Sequence, residues 1–383
     1  MKIVFLSPSF GKSAAGIYFS VSTIFTSLSR FKEDKFHLLT CLNSQDLPLP
    51  ASTCFKSISI FKVLGPLSFG FCIGIVKKLL QLNPDIVHSH GLWMYHSIVR
   101  FFSFNSLVLV SPHGMLDSWA LSRSRLKKSL AFKLYENRNL RTADCLHALN
   151  EDEMNSIRHL GYTQPIAVIP NPVNFNLDQI PPPRDYFLDQ RLTFLFLGRI
   201  DEKKGIDRLI HQWSRFKELP QAKKCDLKIA GTGCKENLTR LENLIKDSSL
   251  NVEFLGPVYG KEKDQLYASS DIFILPSYSE GLPMAVLEAC AFSLPVLITR
   301  QCNLPDIIDS GAGFDITTDD AFLASLKHLA SIEKFELNKI GAMSNELLKK
   351  KYSQESVATK FHILYQWMLN KKVKPDFVYL YED

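Results

Sequence analysis

Residues 277–289 read SYSEGLPMAVLEA, with Glu280 and Glu288 eight positions apart on either side of an apolar run. A carboxylate accepts two hydrogen bonds at once and can chelate adjacent hydroxyls of a sugar. Pro283 suits the first position of a helix, where its missing N–H costs nothing. That placement puts Gly281 and Leu282 at the helix mouth, where backbone N–H groups favour phosphate. Glu280 then stands outside the helix, and Glu288 lies about a turn and a half inside it at ~1.5 Å per residue. The two acids read as two stations along one elongated ligand: a sugar at Glu280, a ribose at Glu288 and a diphosphate between them, that is, a nucleotide sugar. A first-turn acid plus a buried, paired Glu is the plainer alternative, and spacing alone leaves both open.

The stretch GRIDEKKGIDRLI sets Arg199 at a strand end and Lys204 five residues later. A guanidinium and an ammonium so placed suit a diphosphate, or serve as solvated loop cations. Gly231 lies in the GTG that follows another apolar run. His88, His90 and His113 fall on different strand tips with no cysteine beside them, which argues against a closed zinc cluster. His90 reads equally as a ligand contact or a structural hydrogen bond. Asp117 and Trp119, just after His113, either line an acceptor or pack their loop. No Asp-x-Asp is present, so no metal-bridged diphosphate is expected; Arg199, Lys204 and the helix terminus can supply the positive charge.

The elements that must position these residues alternate along the chain. Strand-like runs KIVFLSP, FHLLTCL, DIVHSH, LVLVSPH, DCLHAL and AVIPNP occupy the first half, and LTFLFLGR, CDLKIAG, NVEFLG, DIFILPS and PVLITR the second. They are continuous rather than alternating, as strands covered on both faces should be. Helical segments between them, such as 127–139 and 236–246, complete βαβ units. The expected fold is α/β, with two doubly wound parallel-sheet domains. Ligands in such sheets bind beyond the carboxyl ends of the strands, where SPSFGKSAAG, HSHGLW, PHGMLDSW, GRIDEKKG, GTG and PSYSEGLP all fall. Six such coincidences imply a ligand held in a cleft between two facing sheets.

Residues 171–190, with four prolines, read as a linker between a first domain (1–170) and a second (191–352). A final helix (353–370), opened by a Ser-x-x-Ser start, carries Val357, Phe361, Leu364 and Trp367 or Met368 along one face, and 371–383 is a tail. With 383 residues, 46% apolar and 22% charged, the chain holds enough for two cores. A net charge of +6 does not argue for nucleic acid but leaves room for anionic ligands or an anionic membrane surface. Eight cysteines without a CxxC pair form no disulfide framework and fit a reducing cytoplasm. The most lipid-like stretch, VLGPLSFGFCIGIV (63–76), is broken by Gly and Pro and falls short of the ~20 residues a span needs; it reads as a loop and buried helix. The run from Arg123 to Arg141 concentrates seven cations, read with equal weight as a solvated face or as a patch for anionic lipid headgroups.

The Glu280–Glu288 stretch, GRIDEKKG, PSYSEGLPMAVLEACAFSLPVLIT, DIVHSHG and LHALNEDE together resemble glycosyltransferase family 4, retaining enzymes of the GT-B fold with two Rossmann-like domains. PHGMLDSWAL is similar to a branch from bacterial surface-polysaccharide clusters. The resemblance spans 1 to about 368. It implies that Arg199 and Lys204 hold the donor diphosphate, Glu280 binds the transferred sugar, and Glu288 holds the ribose. It further implies backbone contacts from Gly281, Leu282, Pro283 and Met284, His113 facing the donor sugar, and a first loop around Ala15 and Gly16 beside the diphosphate. The last helix would cross back to the first domain. The implied activity is retaining transfer, by front-face attack, from a UDP- or GDP-linked sugar to a glycan or polyprenyl-linked acceptor, without cofactor or metal, in the cytoplasm or at the inner membrane face. The chain departs from the family at Ala15 for Gly, Pro172 for Gly, Asp306 for Glu, and Leu282-Pro283 where the family has Phe-Gly. A GT-B epimerase, a phosphorylase and a non-catalytic glycan-binding subunit are the rival readings.

Overall fold

In the computed structural model, residues 1–8, 15–42, 57–65, 69–102, 105–122, 124–173 and 191–381 are described. Fourteen strands run among them: β1 (Lys2–Ser7), β2 (Lys35–Leu42), β3 (Ile58–Lys62), β4 (Ile86–His90), β5 (Leu107–Ser111), β6 (Cys145–Ala148), β7 (Ile166–Val168), β8 (Leu192–Leu197), β9 (Cys225–Ala230), β10 (Val252–Gly256), β11 (Ile272–Leu275), β12 (Val296–Ile298), β13 (Gly313–Asp315) and β14 (Val378–Tyr379). The chain divides into two units, Met1–Pro172 with Tyr352–Asp383, and Val173–Lys351.

The first unit has the strand order β14-β7-β6-β5-β4-β1-β2-β3, parallel except for β14, which runs antiparallel to β7. The second has β10-β9-β8-β11-β12-β13, parallel throughout. This is the doubly wound architecture expected of continuous apolar runs: β4, β6, β11 and β12 are buried along their whole length. The edge strand β10 instead alternates half-buried and exposed residues. In each sheet the winding reverses once, between β1 and β4 in the first unit and between β8 and β11 in the second.

The helix Gln354–Met368 starts on Ser353, whose hydroxyl accepts from the Ser356 N–H. Its buried Val357, Phe361, Leu364 and Met368 pack with Val21, Ile24, Phe25 and Leu28 of the helix Ala15–Leu28 over Ile3 and Phe5 of β1. The end of the chain is therefore part of the first unit. The segment taken as a tail contributes β14, which extends the first sheet past β7. The basic segment is helical over 125–141, as Arg125–Ala131, a π-helical turn Phe132–Glu136 and Asn137–Arg141. Most of the expected linker, 174–190, lies outside the described residues. So does Cys54, while six of the seven described cysteines are buried thiols. No helix among the described residues is long and apolar enough to cross a membrane.

Candidate active site

The second unit brings Lys204 and Glu280 together at its topological reversal. The chain leaves β8 as Gly198-Arg199, forms a short 3₁₀ turn at Glu202–Lys204, and enters the helix Ile206–Lys217. Asp201 caps the turn by accepting from the Lys204 N–H. Gly205 follows in the left-handed region (φ 68°), and a Cβ there would stand 2.2 Å from the Pro276 carbonyl oxygen. Only glycine allows that approach, which presses the loop after β8 onto the end of β11. The Tyr278 N–H donates to the Lys203 carbonyl at 2.9 Å and joins the loops further.

On the β11 side, Glu280 is buried (8% exposed). Its Oε1 accepts from Lys204 Nζ and from Ser277 Oγ, each at 2.6 Å. The Glu280 backbone donates to the Gln301 carbonyl and accepts from Asn303 Nδ2, so three strand-end loops hold one carboxylate. The pair stands beyond the carboxyl ends of β8 and β11, the edge where sheets of this kind bind ligands.

Pro283 is the N-cap rather than the first helical residue. Its ψ of 96° is extended and the helix is Met284–Ala291. The expected boundary is thus corrected by one position, because the proline carbonyl, which accepts from Val286 and Leu287 N–H, closes the first turn from outside. Gly281 and Leu282 are half-buried before it, and Met284 is exposed. Glu288, the fifth helical residue, accepts from Lys263 Nζ at 2.6 Å and from Tyr267 Oη at 2.9 Å. Both partners come from the helix Gly260–Ala268. Glu288 is therefore the paired acid of the plainer alternative, yet its side chain keeps 17% exposure. Sequence reading missed Lys263 and Tyr267; their i, i+4 spacing, which places them on one helix face, was the available signal.

Arg199 stays 64% exposed, 3.4 Å from Asp201, and does not join Lys204. Gly231 has a backbone reason of its own: a Cβ there would fall 1.7 Å from the Gly198 carbonyl oxygen, where the ends of β8 and β9 meet.

In the first unit, the histidines form a buried hydrogen-bonded series. Because the His147 Nε2–H donates to the Ile169 carbonyl (2.7 Å), its Nδ1 must accept from Ser111 Oγ (2.7 Å). The Ser111 oxygen then accepts from the His88 Nε2–H (2.7 Å), and His88 Nδ1 accepts from the Tyr365 hydroxyl (2.9 Å). One direction of donation satisfies every atom and fixes all tautomers. Tyr365→Phe keeps the packing but leaves His88 Nδ1 unpaired. The expected cost is about 1–3 kcal/mol, read as a lowered melting transition of the first unit; an unchanged melt would contradict the series.

His90 Nδ1 meets His113 Nε2 at 3.0 Å, and His90 stacks on Phe5. His113 has φ 55°, left-handed backbone uncommon for a residue with a side chain. The buried Glu153 braces the turn by accepting from the Gly114 N–H (2.6 Å) and the Leu149 N–H (2.8 Å). Burial pushes its carboxyl up to about 7. A second buried acid, Glu136, accepts from the Trp93 N–H after β4 (2.7 Å). Neither bracing acid was among the expected site residues. Asp117 is half-buried before the helix Ser118–Ser122; the Trp119 side chain lies outside the described residues. Gly16 is in the first turn of the helix Ala15–Leu28, and 9–14 before it are outside the described residues. Among the described residues no three His, Cys, Asp or Glu side chains are grouped as metal ligands.

Residues 184–341 match the family model described as glycosyl transferases group 1, and 46–172 the model described as glycosyl transferase 4-like domain. An uncharacterized 41.2 kDa protein in the cps region of Klebsiella pneumoniae is 24% identical, over 79% of this chain and 84% of its own. A putative colanic acid biosynthesis glycosyltransferase, WcaL of Salmonella typhimurium, is 26% identical over 46% of this chain and 45% of its own. The crystal structure of Anabaena HepE in complex with UDP and glucose superposes with a TM-score of 0.69 at 16% identity, over 96% of this chain and all of its own. The fold is GT-B.

Proposed function

We propose, from the premise that residues 46–172 and 184–341 match glycosyltransferase family models on a GT-B fold, that the protein transfers a sugar from a nucleotide-sugar donor to a glycan or lipid-linked glycan in surface-polysaccharide assembly. The Lys204–Glu280 pair at the reversal of the second sheet carries this reading. Lys204 turns from the carboxylate toward the donor diphosphate and neutralises the charge that develops as the nucleotide leaves. Glu280, relieved of part of that pairing, accepts from the sugar hydroxyls. Met284 and Ala285, first in their helix, offer N–H groups to the phosphates, and exposed Arg199 adds a second cation. Glu288, oriented by Lys263 and Tyr267, accepts from the ribose. In the first unit, His113 after β5 faces the donor sugar, held at its Nε2 by His90, which is buried at the end of β4, and half-buried Asp117 lies on the acceptor side.

The transfer retains configuration, with the departing diphosphate taking the acceptor proton. Its charge balance is met by Lys204, Arg199 and a helix terminus, so it needs no metal. HepE, whose structure holds UDP and glucose, and the polysaccharide-named WcaL relative support this reading. A panel of UDP-, GDP- and ADP-sugars tests it by thermal shift. One donor at 100 times its dissociation constant should stabilise the second unit by ~2.7 kcal/mol; a panel without any shift removes the basis of the proposal. Glu288→Ala should weaken that donor's binding about tenfold or more, since it removes a charged hydrogen-bond acceptor. Undiminished binding would return Glu288 to a structural role. Nucleoside diphosphate release that depends on acceptor separates the transferase from an epimerase, which converts donor alone.

A further inference from the structure

The basic helix 125–141 buries one face and leaves a row of the other exposed. Inward, Phe132 and Leu140 join the core formed by Val108, Val110 and Leu146, and Glu136 holds the Trp93 N–H and the Asn139 side chain. Outward, Leu126, Leu130 and Leu134 are 88%, 61% and 69% exposed. Their four-residue spacing places them along one row of the helix. Lys127 and Lys133 flank that row about 100° of helix turn apart from its ends, and both are exposed, as are Arg125, Arg138 and Arg141. The only acid within 122–141 is Glu136, which is fully buried. The outer face thus combines a leucine row with positive charge and no negative charge.

Single exposed leucines are ordinary on a protein surface. Three along one helical row, rimmed by cations, match the pattern of a helix that lies in a bilayer interface with its apolar face among the acyl chains. A second copy of the chain is the poorer occupant, because a two-fold contact places each surface on itself and would set these cations against their own duplicates. A membrane surface of anionic lipid complements both features at once.

We propose that residues 125–141 dock the first unit onto an anionic membrane surface, with Leu126, Leu130 and Leu134 entering the bilayer and Arg125, Lys127, Lys133, Arg138 and Arg141 on the headgroups. The proposal stands independently of the glycosyl-transfer reading, since its test needs neither donor nor acceptor.

The full chain is co-sedimented with phosphatidylcholine vesicles and with vesicles of which about one-third is phosphatidylglycerol. Binding should require the anionic lipid and weaken as salt rises. Lys127→Gln with Lys133→Gln should cost about fivefold per cation. Leu126→Ser, Leu130→Ser and Leu134→Ser together should lower the affinity at least tenfold. These leucines lie outside the core, so melting temperatures near wild type are expected, and the lysine pair provides a reading that alters no apolar contact. Equal binding to neutral vesicles, no binding of the wild-type chain at low salt, or undiminished binding by the leucine variant overturns the proposal. So does a dimer, seen by sedimentation velocity without lipid, that the leucine variant dissolves.

Discussion

Lys204→Ala is expected to lower sugar transfer about a thousandfold, the upper part of the range for removing one preorganised electrostatic contact to a developing charge. It should also destabilise the second unit. Lys204 and Glu280 keep only 15% and 9% side-chain exposure, and removal of one partner leaves a carboxylate with Ser277 Oγ as its one remaining side-chain donor among the described residues. Breaking a fully buried pair costs about 3–5 kcal/mol, and the residual exposure places this one near the lower figure. The second variant needed is Lys204→Ala with Glu280→Gln, which leaves no charge unpaired. Its melting temperature should recover toward wild type while turnover stays low. If turnover recovered along with stability, the lysine would be a structural cation and the assignment of the leaving-group role would be wrong. Arg199→Ala, which removes an exposed side chain, should leave the melt unchanged and reduce turnover more modestly.

The strands, and the strand ends where the candidate site lies, were legible because they are matters of local pattern. Continuous apolar runs such as LTFLFL and IFIL, short and bounded by Gly or Pro, read as strands covered on both faces, and the residues following them then lie at the carboxyl edge. What the sequence could not convey was pairing across distance. Glu280 and Lys204 are 76 residues apart, and their contact depends on Gly205 fitting under the Pro276 carbonyl. Glu288 is similarly joined to Lys263, 25 residues away on another helix. Short or half-exposed strands also escaped: β3 (ISIFK), β13 (GFD) and β14 (VY) lack the run of buried residues that marked the others. The basic segment was visible as charge, but only its helical phase reveals that its leucines share one exposed row.

The histidines give the largest expected response to pH. His88, His90, His96 and His147 are buried and His113 is half-buried. Burial is the first cause holding each imidazole neutral: His96 and His147 fall to about 4, His113 to about 3, and His88 and His90 lie well below the ordinary value of 6.5. The unfolded chain, with ordinary imidazoles, binds protons below pH 6.5 that the folded chain refuses. Their contribution is therefore intact above that pH and is lost as pH falls from about 6.5 toward 4. Each costs up to about 1.4 kcal/mol per pH unit. Glu153, raised to about 7, and Glu136, also raised by burial, act in the opposite sense, since the folded chain keeps their protons longer. His96, His113 and His147 against Glu153 leave about two protons, or about 3 kcal/mol per pH unit near pH 5.5; His37, His88 and His90 add to that loss and Glu136 offsets part of it. A domain stabilised by about 5–15 kcal/mol cannot sustain that for long, so the first unit should unfold at ambient temperature between about pH 5 and 4. The second unit is the internal control: its two histidines, His211 and His328, are both exposed. Calorimetry at pH 7.5 and 5.5 should show one transition falling steeply and the other nearly still. His147→Gln should remove one proton from the slope, and parallel movement of both transitions would refute the account.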